Sequence, residues 1–136
     1  MLPLNQIFQL DAFCDTRGEL CVFESIAEFQ IRRVFWIRNV PPCATRGNHA
    51  SIYDNKIVVL TSGNCKIDLH DGETKRSFSL STPMQALLIP KMTWNRLYGF
   101  SEDCVLTVLV DRLYSPNDVI TNFDTFVATT RHSKPL

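Results

Sequence analysis

The hydrophobic pattern of the chain is that of short strands separated by turns. Residues 65–70 (CKIDLH) and 75–80 (KRSFSL) alternate apolar and polar side chains, so each can bury one face in a sheet. The Asp71-Gly72 pair between them is a strong signal for a two-residue hairpin. Turn signals recur about every ten residues, a spacing typical of a sandwich or barrel. Strands are predicted over residues 19–24, 32–39, 56–61, 65–70, 75–80, 86–89 and 104–110.

Two of these strands carry nearly continuous apolar runs instead of alternating. Residues 56–61 (KIVVLT) and 104–110 (CVLTVLV) are suited to strands that are covered on both faces. A chain of 136 residues can bury a core of this kind within one domain. We therefore expect a single all-β domain over residues 1–128.

One short helix is predicted near the C-terminus. Ser115 offers an N-cap, Pro116 suits the first helical position, and Asp118 places an acid in the first turn. This helix would end at about Asn122. The polar residues 129–136 are predicted to form a disordered tail.

Composition and charge argue against several classes of function. Lysine and arginine number 14, and so do aspartate and glutamate, so no basic excess predicts a nucleic-acid or membrane partner. No apolar run approaches the ~20 residues of a membrane span, and the N-terminus does not resemble a signal peptide. An odd number of cysteines without C-x-x-C spacing predicts reduced thiols in the cytoplasm. The cysteines are Cys14, Cys21, Cys43, Cys65 and Cys104.

Of the three histidines, His49 is the candidate for chemistry. His132 lies in the predicted tail, and His70 adjoins the hairpin turn, where an exposed side chain is expected. His49 leads into a strand in a segment shaped like the first half of a cupin motif. That motif places a second histidine two residues on and a carboxylate four further, where this chain has Ser51 and Asn55. One imidazole cannot form a closed metal site, so we predict no metal and no other cofactor.

Arginines and aromatic residues surround His49 in the predicted strands. Clustered guanidinium groups suit bidentate binding of a diphosphate, and aromatic faces suit stacking on a base. For each arginine alone, a solvated surface charge is the alternative. The arginines are Arg17, Arg33, Arg46 and Arg96, and the aromatic residues are Trp36, Tyr53 and Trp94.

The order of the motifs resembles that of the nucleotide-sugar 3,4-ketoisomerases, the FdtA/QdtA/WxcM-like cupins that act on dTDP-4-keto-6-deoxyglucose. The resemblance runs from about Phe13 to Phe126. The stretches that carry it are 15–20 (DTRGEL), 31–37 (IRRVFWI), 46–50 (RGNHA), Asp71-Gly72, Ile89-Pro90, Trp94, 100–101 (FS), Tyr114, Asp118 and 122–126 (NFDTF).

The resemblance implies a cupin or RmlC-like jelly roll that needs no metal. It implies a homodimer whose strands are shared across the interface, and a dTDP-linked substrate used in deoxysugar and surface-polysaccharide (O-antigen) synthesis. By resemblance, His49 removes the C3 proton of the sugar and returns a proton at C4 through an enediolate. The residues that are expected to contact the substrate in addition are Arg17, Arg33, Arg46, Trp94 and Arg96.

Three departures from the family pattern leave alternatives open. Ser51 stands in place of the second histidine, Asn55-Lys56 in place of a Glu-Gln pair, and Arg96 in place of a glutamate. An active isomerase could use His49 with Ser51, Tyr53 or a water as proton relay. A decayed domain would only bind a nucleotide sugar or a partner.

Epimerisation next to the ketone is a third possibility, because it needs the same enolisation. Tyr53 or Tyr98 across the cavity from His49 would favour an epimerase, which needs a donor on the opposite face of the sugar. A cavity that is open to His49 but lacks a second donor would favour the binding module.

Overall fold

The computed structural model describes residues 7–24 and 28–133, and this part of the chain forms twelve strands and one helix. The elements are β1 (Ile7–Gln9), β2 (Asp11–Asp15), β3 (Gly18–Val22), β4 (Arg33–Arg38), β5 (Arg46–Ser51), β6 (Lys56–Ser62), β7 (Cys65–His70), β8 (Lys75–Leu80), β9 (Gln85–Ile89), β10 (Trp94–Tyr98), β11 (Val105–Val110), β12 (Val119–Ile120) and α1 (Phe123–Ser133).

Ten strands form two five-stranded antiparallel sheets. The first sheet has the order β1-β9-β6-β11-β4, and the second has the order β12-β5-β10-β7-β8. Strands β2 and β3 form a separate hairpin. Consecutive strands often lie in different sheets, which is the connectivity of a jelly roll. The predicted all-β class with a C-terminal helix is confirmed.

The core lies between the two sheets. Leu106 of the first sheet and Ile67 of the second are fully buried in the same apolar cluster. The outer face of the first sheet is covered as well, because Ile57 belongs to a second cluster that includes Leu10 and Phe29. Strand β6 is therefore buried on both faces, as its apolar run predicts.

The strands with strong alternation were predicted to the residue, whereas weaker ones were missed. Strands β7 and β8 and the hairpin between them match the prediction. Strand β10 (WNRLY) was not predicted. Polar and aromatic residues that pack outside the sandwich separate its inward residues, so the sequence lacks a simple apolar–polar alternation. Strands β1, β2 and β12 were also missed, since they are short or exposed.

The helix predicted over residues 115–122 is wrong. The backbone N–H of Asp118 donates to the carbonyl of Ser115 at 3.3 Å, which closes a turn. Residues 119–120 then pair with β5 as strand β12. The helix begins at Phe123, where the Asn122 side chain caps it by accepting from the Thr125 N–H at 2.9 Å. Pairing with the edge of β5 outweighs the cap signal at Ser115.

The helix extends into the residues expected to form a tail. Residues 129–133 are helical, and residues 134–136 lie outside the described part of the chain. Phe126 anchors the helix, since its side chain is fully buried. No helix within the described ranges is both long and apolar enough to span a membrane.

His70 is half-buried beneath this helix instead of exposed as expected. Its Nδ1 accepts a hydrogen bond from the Gly72 N–H at 3.0 Å. Its ring meets the ring of Phe123 edge to face, with the centroids 5.0 Å apart. His132 is exposed on the helix. Neither histidine takes part in the site around His49.

Candidate active site

A bulge in strand β5 aims His49 into the sandwich. His49 pairs with Asn95 and Gly47 pairs with Arg96, so Asn48 is the extra residue between them. Gly47 and Asn48 have φ angles of 80° and 58°, in the left-handed region. A Cβ atom added to Gly47 would lie 2.3 Å from Asn95 Oδ1. Glycine is therefore required for the close approach of β5 to β10.

The same bulge sets the tautomer of His49. Its Nδ1 lies 3.0 Å from the carbonyl oxygen of Gly47. Because a carbonyl can only accept a hydrogen bond, Nδ1 carries the proton in the neutral ring. Nε2 is then the basic nitrogen, and it is the atom that can remove a proton from a substrate.

His49 faces two pockets that meet at the mouth of the sandwich. Phe35, His49 and Lys56 line both. The inner pocket is mainly apolar, and its other lining residues include Ile37, Val58, Ile89 and Leu97. The outer pocket, of about 370 Å³, is also lined by Arg33, Asp54, Tyr114, Ser115 and Val119. The cavity therefore has an apolar inner end and a charged entrance.

Lys56 lines the cavity, although the sequence did not single it out as a candidate site residue. Its side chain is buried, with 8% of the residue exposed, and its Nζ donates a hydrogen bond to the Oγ of Ser51. The signal was present in the alternation, because Lys56 shares a strand face with Val58 and Leu60 of the inner core. A lysine at the start of an inward apolar face is unusual enough to mark a site.

The electrostatics of the cavity favour a neutral imidazole. Burial is the main cause that lowers the pKa of His49, and the positive charge of Lys56 lowers it further. Asp54 and the hydrogen bond with Gly47 act in the opposite direction but are outweighed. His49 is therefore unprotonated near neutral pH, which is the form that a general base requires.

Three of the predicted site residues line the cavity. His49 lines both pockets, Arg46 lines the inner pocket and Arg33 the outer one. Ser51 is buried behind this lining, where it accepts the hydrogen bond from Lys56. Arg33 forms an ion pair with Asp54 at 3.5 Å, and both side chains are largely buried. The guanidinium also lies 5.5 Å from the ring centre of Tyr114.

Strand β10 turns two predicted contacts away from the cavity. Asn95 and Leu97 line the inner pocket, so their neighbours Trp94 and Arg96 point to the opposite face. Trp94 packs against Phe123 of α1.

Arg96 is held on that outer face by its own partners. Its guanidinium lies 4.3 Å from the ring centre of Tyr98 and 3.7 Å from Asp68. Tyr98 in turn donates a hydrogen bond to Asp68 at 2.9 Å.

Three further predicted residues also lie outside the cavity of their own chain. Tyr53 is exposed and packs under the guanidinium of Arg112 at 5.0 Å. Trp36 is exposed on the outer face of β4. Arg17 lies at the tip of the β2–β3 hairpin, where it pairs with Asp15.

Within the described residues, no group of three or more His, Cys, Asp and Glu side chains is placed to hold a metal ion. Among the charged groups that act on the pKa of the His49 imidazole, the Lys56 ammonium has the largest effect, and an ammonium is not a metal ligand. The cavity instead offers a neutral base beside a buried cation.

Comparison with known proteins identifies the family. The family model FdtA, described as WxcM-like, C-terminal, matches residues 4–131. The chain belongs to the FdtA family. A curated member from Aneurinibacillus thermoaerophilus, TDP-4-oxo-6-deoxy-alpha-D-glucose-3,4-oxoisomerase, is 30% identical over 124 residues, covering 90% of this chain and 89% of that protein.

Solved structures of FdtA-like ketoisomerases superpose closely on this one. A 3,4-ketoisomerase from Helicobacter canadensis is 31% identical with a TM-score of 0.88, covering 93% of this chain and 97% of its own. A histidine-to-asparagine mutant of the 3,4-ketoisomerase QdtA from Thermoanaerobacterium thermosaccharolyticum, in complex with TDP-4-keto-6-deoxyglucose, is 27% identical with a TM-score of 0.89, covering 98% of both chains. The predicted RmlC-like cupin fold and the family resemblance are confirmed.

Replacing Gly47 tests whether the bulge is required. Gly47→Ala is expected to destabilise the protein by at least about 2 kcal/mol, because it adds a collision with Asn95 to an unfavourable φ. Gly99→Ala is the matched control, since its φ of 62° is also positive but its added Cβ would meet only Lys66 at ordinary distance. It should cost about 1 kcal/mol. If urea unfolding shows that both variants lose the same free energy of unfolding, the close approach of β5 to β10 at Gly47 would be contradicted.

The protonation of His49 can be measured by NMR titration of its ring protons. The midpoint is expected below the ordinary histidine value of about 6.5, because burial and Lys56 both oppose the charged form. The spectrum of His49→Asn assigns the resonance. A midpoint at or above that value would mean that the cavity does not hold the ring neutral.

Proposed function

We propose that the protein is a sugar-nucleotide 3,4-ketoisomerase that acts on a TDP-linked 4-keto-6-deoxyhexose, such as TDP-4-keto-6-deoxyglucose. The observation that carries this proposal is a neutral His49, with Nε2 free, at the junction of an apolar pocket and a cationic entrance. The relative from Aneurinibacillus thermoaerophilus is named for a TDP-linked keto sugar of this class, and QdtA is in complex with one.

His49 performs both carbon proton transfers. Nε2 removes the proton from C3 of the sugar, and the electron pair forms an enediolate with the adjacent C4 carbonyl. The imidazolium then returns the proton at C4 while the ketone forms at C3. A base with a pKa near or below neutrality suits both steps, and such catalysis contributes ~10²–10⁴ in rate.

The lining of the cavity suits a deoxysugar diphosphate. The apolar side chains of Ile37, Val58 and Leu97 provide a surface for the C6 methyl group. Arg33 in the outer pocket and Arg46 in the inner one provide guanidinium groups for the diphosphate. Tyr114 lies beside Arg33 and offers an aromatic face to the base.

The structure favours isomerisation over the two alternatives. Tyr53 and Tyr98, which would have supported epimerisation, both face away from the cavity. A binding module would be favoured by a cavity without a second donor, but Lys56 lines both pockets beside His49.

We propose further that the enzyme is a homodimer. The β2–β3 hairpin exposes Phe13 and Leu20 at 62% and 64%, which is unfavourable in water and suits burial against a second copy. Arg17 lies at the tip of this hairpin and does not line the cavity of its own chain, and we infer that it contacts the substrate bound by the partner.

The cellular setting of the proposed reaction is the cytoplasm. The five cysteines are all unpaired, and free thiols persist in a reducing compartment. The product, a TDP-linked 3-keto-6-deoxysugar, suits the synthesis of deoxyamino sugars for a surface polysaccharide such as O-antigen.

An exchange experiment in D₂O tests the proposed reaction. On incubation with TDP-4-keto-6-deoxyglucose, NMR should show a ketone moved to C3 and deuterium at C4, and His49→Asn should lower the rate by ~10²-fold or more. Exchange at C3 or C5 with the ketone unmoved would indicate epimerisation. TDP binding without any exchange would indicate a binding module.

Mixing two inactive variants tests the proposed role of Arg17 across the dimer. If Arg17 serves the partner's cavity, a mixed dimer of His49→Asn and Arg17→Ala contains one site that carries neither lesion. Random exchange of subunits should then restore about a quarter of the wild-type activity. A mixture that is no more active than the sum of its components would place Arg17 outside the partner's site.

A further inference from the structure

We propose that Lys56 is the second catalytic group of this isomerase: it moves a proton between the two sugar oxygens while His49 moves the carbon-bound proton. This inference rests on the proposed function and deepens it. It explains how the chain dispenses with the second histidine of its family, whose position is held by Ser51.

The first support is the position of Lys56 in the fold. Strand β6 lies in the middle of its sheet, between β9 and β11, and Lys56 is its first residue. Its side chain points inward with that of Val58 and lines both the inner and the outer pocket, as His49 does. A substrate that reaches His49 therefore contacts Lys56 as well.

The second support is the contact with Ser51. Ser51 is buried, and its Oγ accepts the hydrogen bond from Lys56 Nζ. Ser51 follows His49 by two residues on β5, where the family's second imidazole would stand. The small serine side chain leaves that space to the lysine and provides the oxygen that fixes it. Ser51 is thus a positioning residue, whereas Lys56 meets the substrate.

The charges around Lys56 suit a group that gives and takes a proton. Burial is the main cause that lowers its pKa, and the nearby Arg33 acts in the same direction. Asp54 and Asp111 oppose this, while Lys56 itself lowers the pKa of His49. Asp111 is occupied by hydrogen bonds from the N–H and side-chain amide of Asn55, each at 2.9 Å. Lys56 is thereby a better proton donor than an exposed lysine.

The two groups together balance the reaction. His49 takes the C3 proton, the C3–H pair becomes the C3=C4 bond, and the carbonyl pair moves to O4. The Lys56 ammonium gives a proton to O4 and becomes an amine. That amine takes the proton of the O3 hydroxyl as the C3=O3 bond forms, and the C3=C4 pair takes the proton of His49 at C4. Both side chains end in their starting states.

The test compares pH profiles of kcat for ketone migration, followed by NMR. Lys56→Met should lower kcat by ~10²–10⁴-fold while the affinity for TDP stays close to that of the wild type. Its profile should lose the alkaline limb, because no lysine remains to lose its proton. The acid limb should move to higher pH, because the charge that lowers the pKa of His49 has been removed. An exposed lysine provides the matched control, and Lys66→Met should keep both the rate and the profile.

Ser51→Ala separates the positioning role from a merely structural one. Without its oxygen acceptor the buried ammonium is less stable, so the alkaline limb should move to lower pH and kcat should fall less than in Lys56→Met. This variant also keeps the test decisive if Lys56→Met does not fold.

Two results would overturn the inference, and they differ from each other. In the first, the wild-type enzyme isomerises the substrate and Lys56→Met keeps both the rate and the alkaline limb. This result would contradict the role of the lysine but leave the proposed function standing. A wild-type protein that binds TDP but moves no ketone would remove the proposed function and the role of Lys56 with it.

Discussion

The positive charge of Lys56 lies inside the protein, where a charge without a partner is costly. The hydroxyl of Ser51 meets this need, and the arrangement around it follows. The lysine lies beside His49, and its charge helps to keep the imidazole neutral. Asp54 partly compensates the charge of Lys56 and also forms the ion pair with Arg33. Ser51 and Lys56 form one unit, because the serine hydroxyl accepts the hydrogen bond of the buried ammonium.

The sandwich holds that unit by ordinary packing. Strand β6 is buried on both faces, which fixes the backbone of Lys56, and strand β5 is paired on both edges, by β10 and β12. The bulge at Gly47 and Asn48 then turns His49 inward and binds its Nδ1 to the backbone. Helix α1 covers the outer face of the second sheet, with Phe123 packed against Trp94. The residues around His49 therefore lie on paired strands, whereas Arg17 lies at the tip of an exposed hairpin.

Sequence patterns predicted the strands wherever apolar and polar residues alternate along the chain, as in β7 and β8. They failed where pairing with a distant strand determines the local structure. The residues around Ser115 contain no signal that residues 119–120 pair with the edge of β5. In the candidate site, the RGNHA motif pointed to His49, which lines both pockets. Aromatic and arginine side chains on β10 were assigned to the cavity by type, although alternation places Asn95 and Leu97 there instead. Lys56 was recorded only as a departure from the family, since a lysine is normally expected at the surface.

The most direct test replaces Ser51 and Lys56 by histidine and glutamine. Ser51→His and Lys56→Gln are introduced singly and together, which gives these two positions the residues that the family resemblance implies. The kcat for ketone migration is measured for all three variants. Each single change should be strongly impaired, because one leaves the lysine without space or partner and the other leaves the site without a second proton donor. The double variant should be faster than either single variant, a coupling expected of side chains that act as a unit. A double variant as slow as the product of the two single losses would show that Ser51 and Lys56 act independently and would contradict the account.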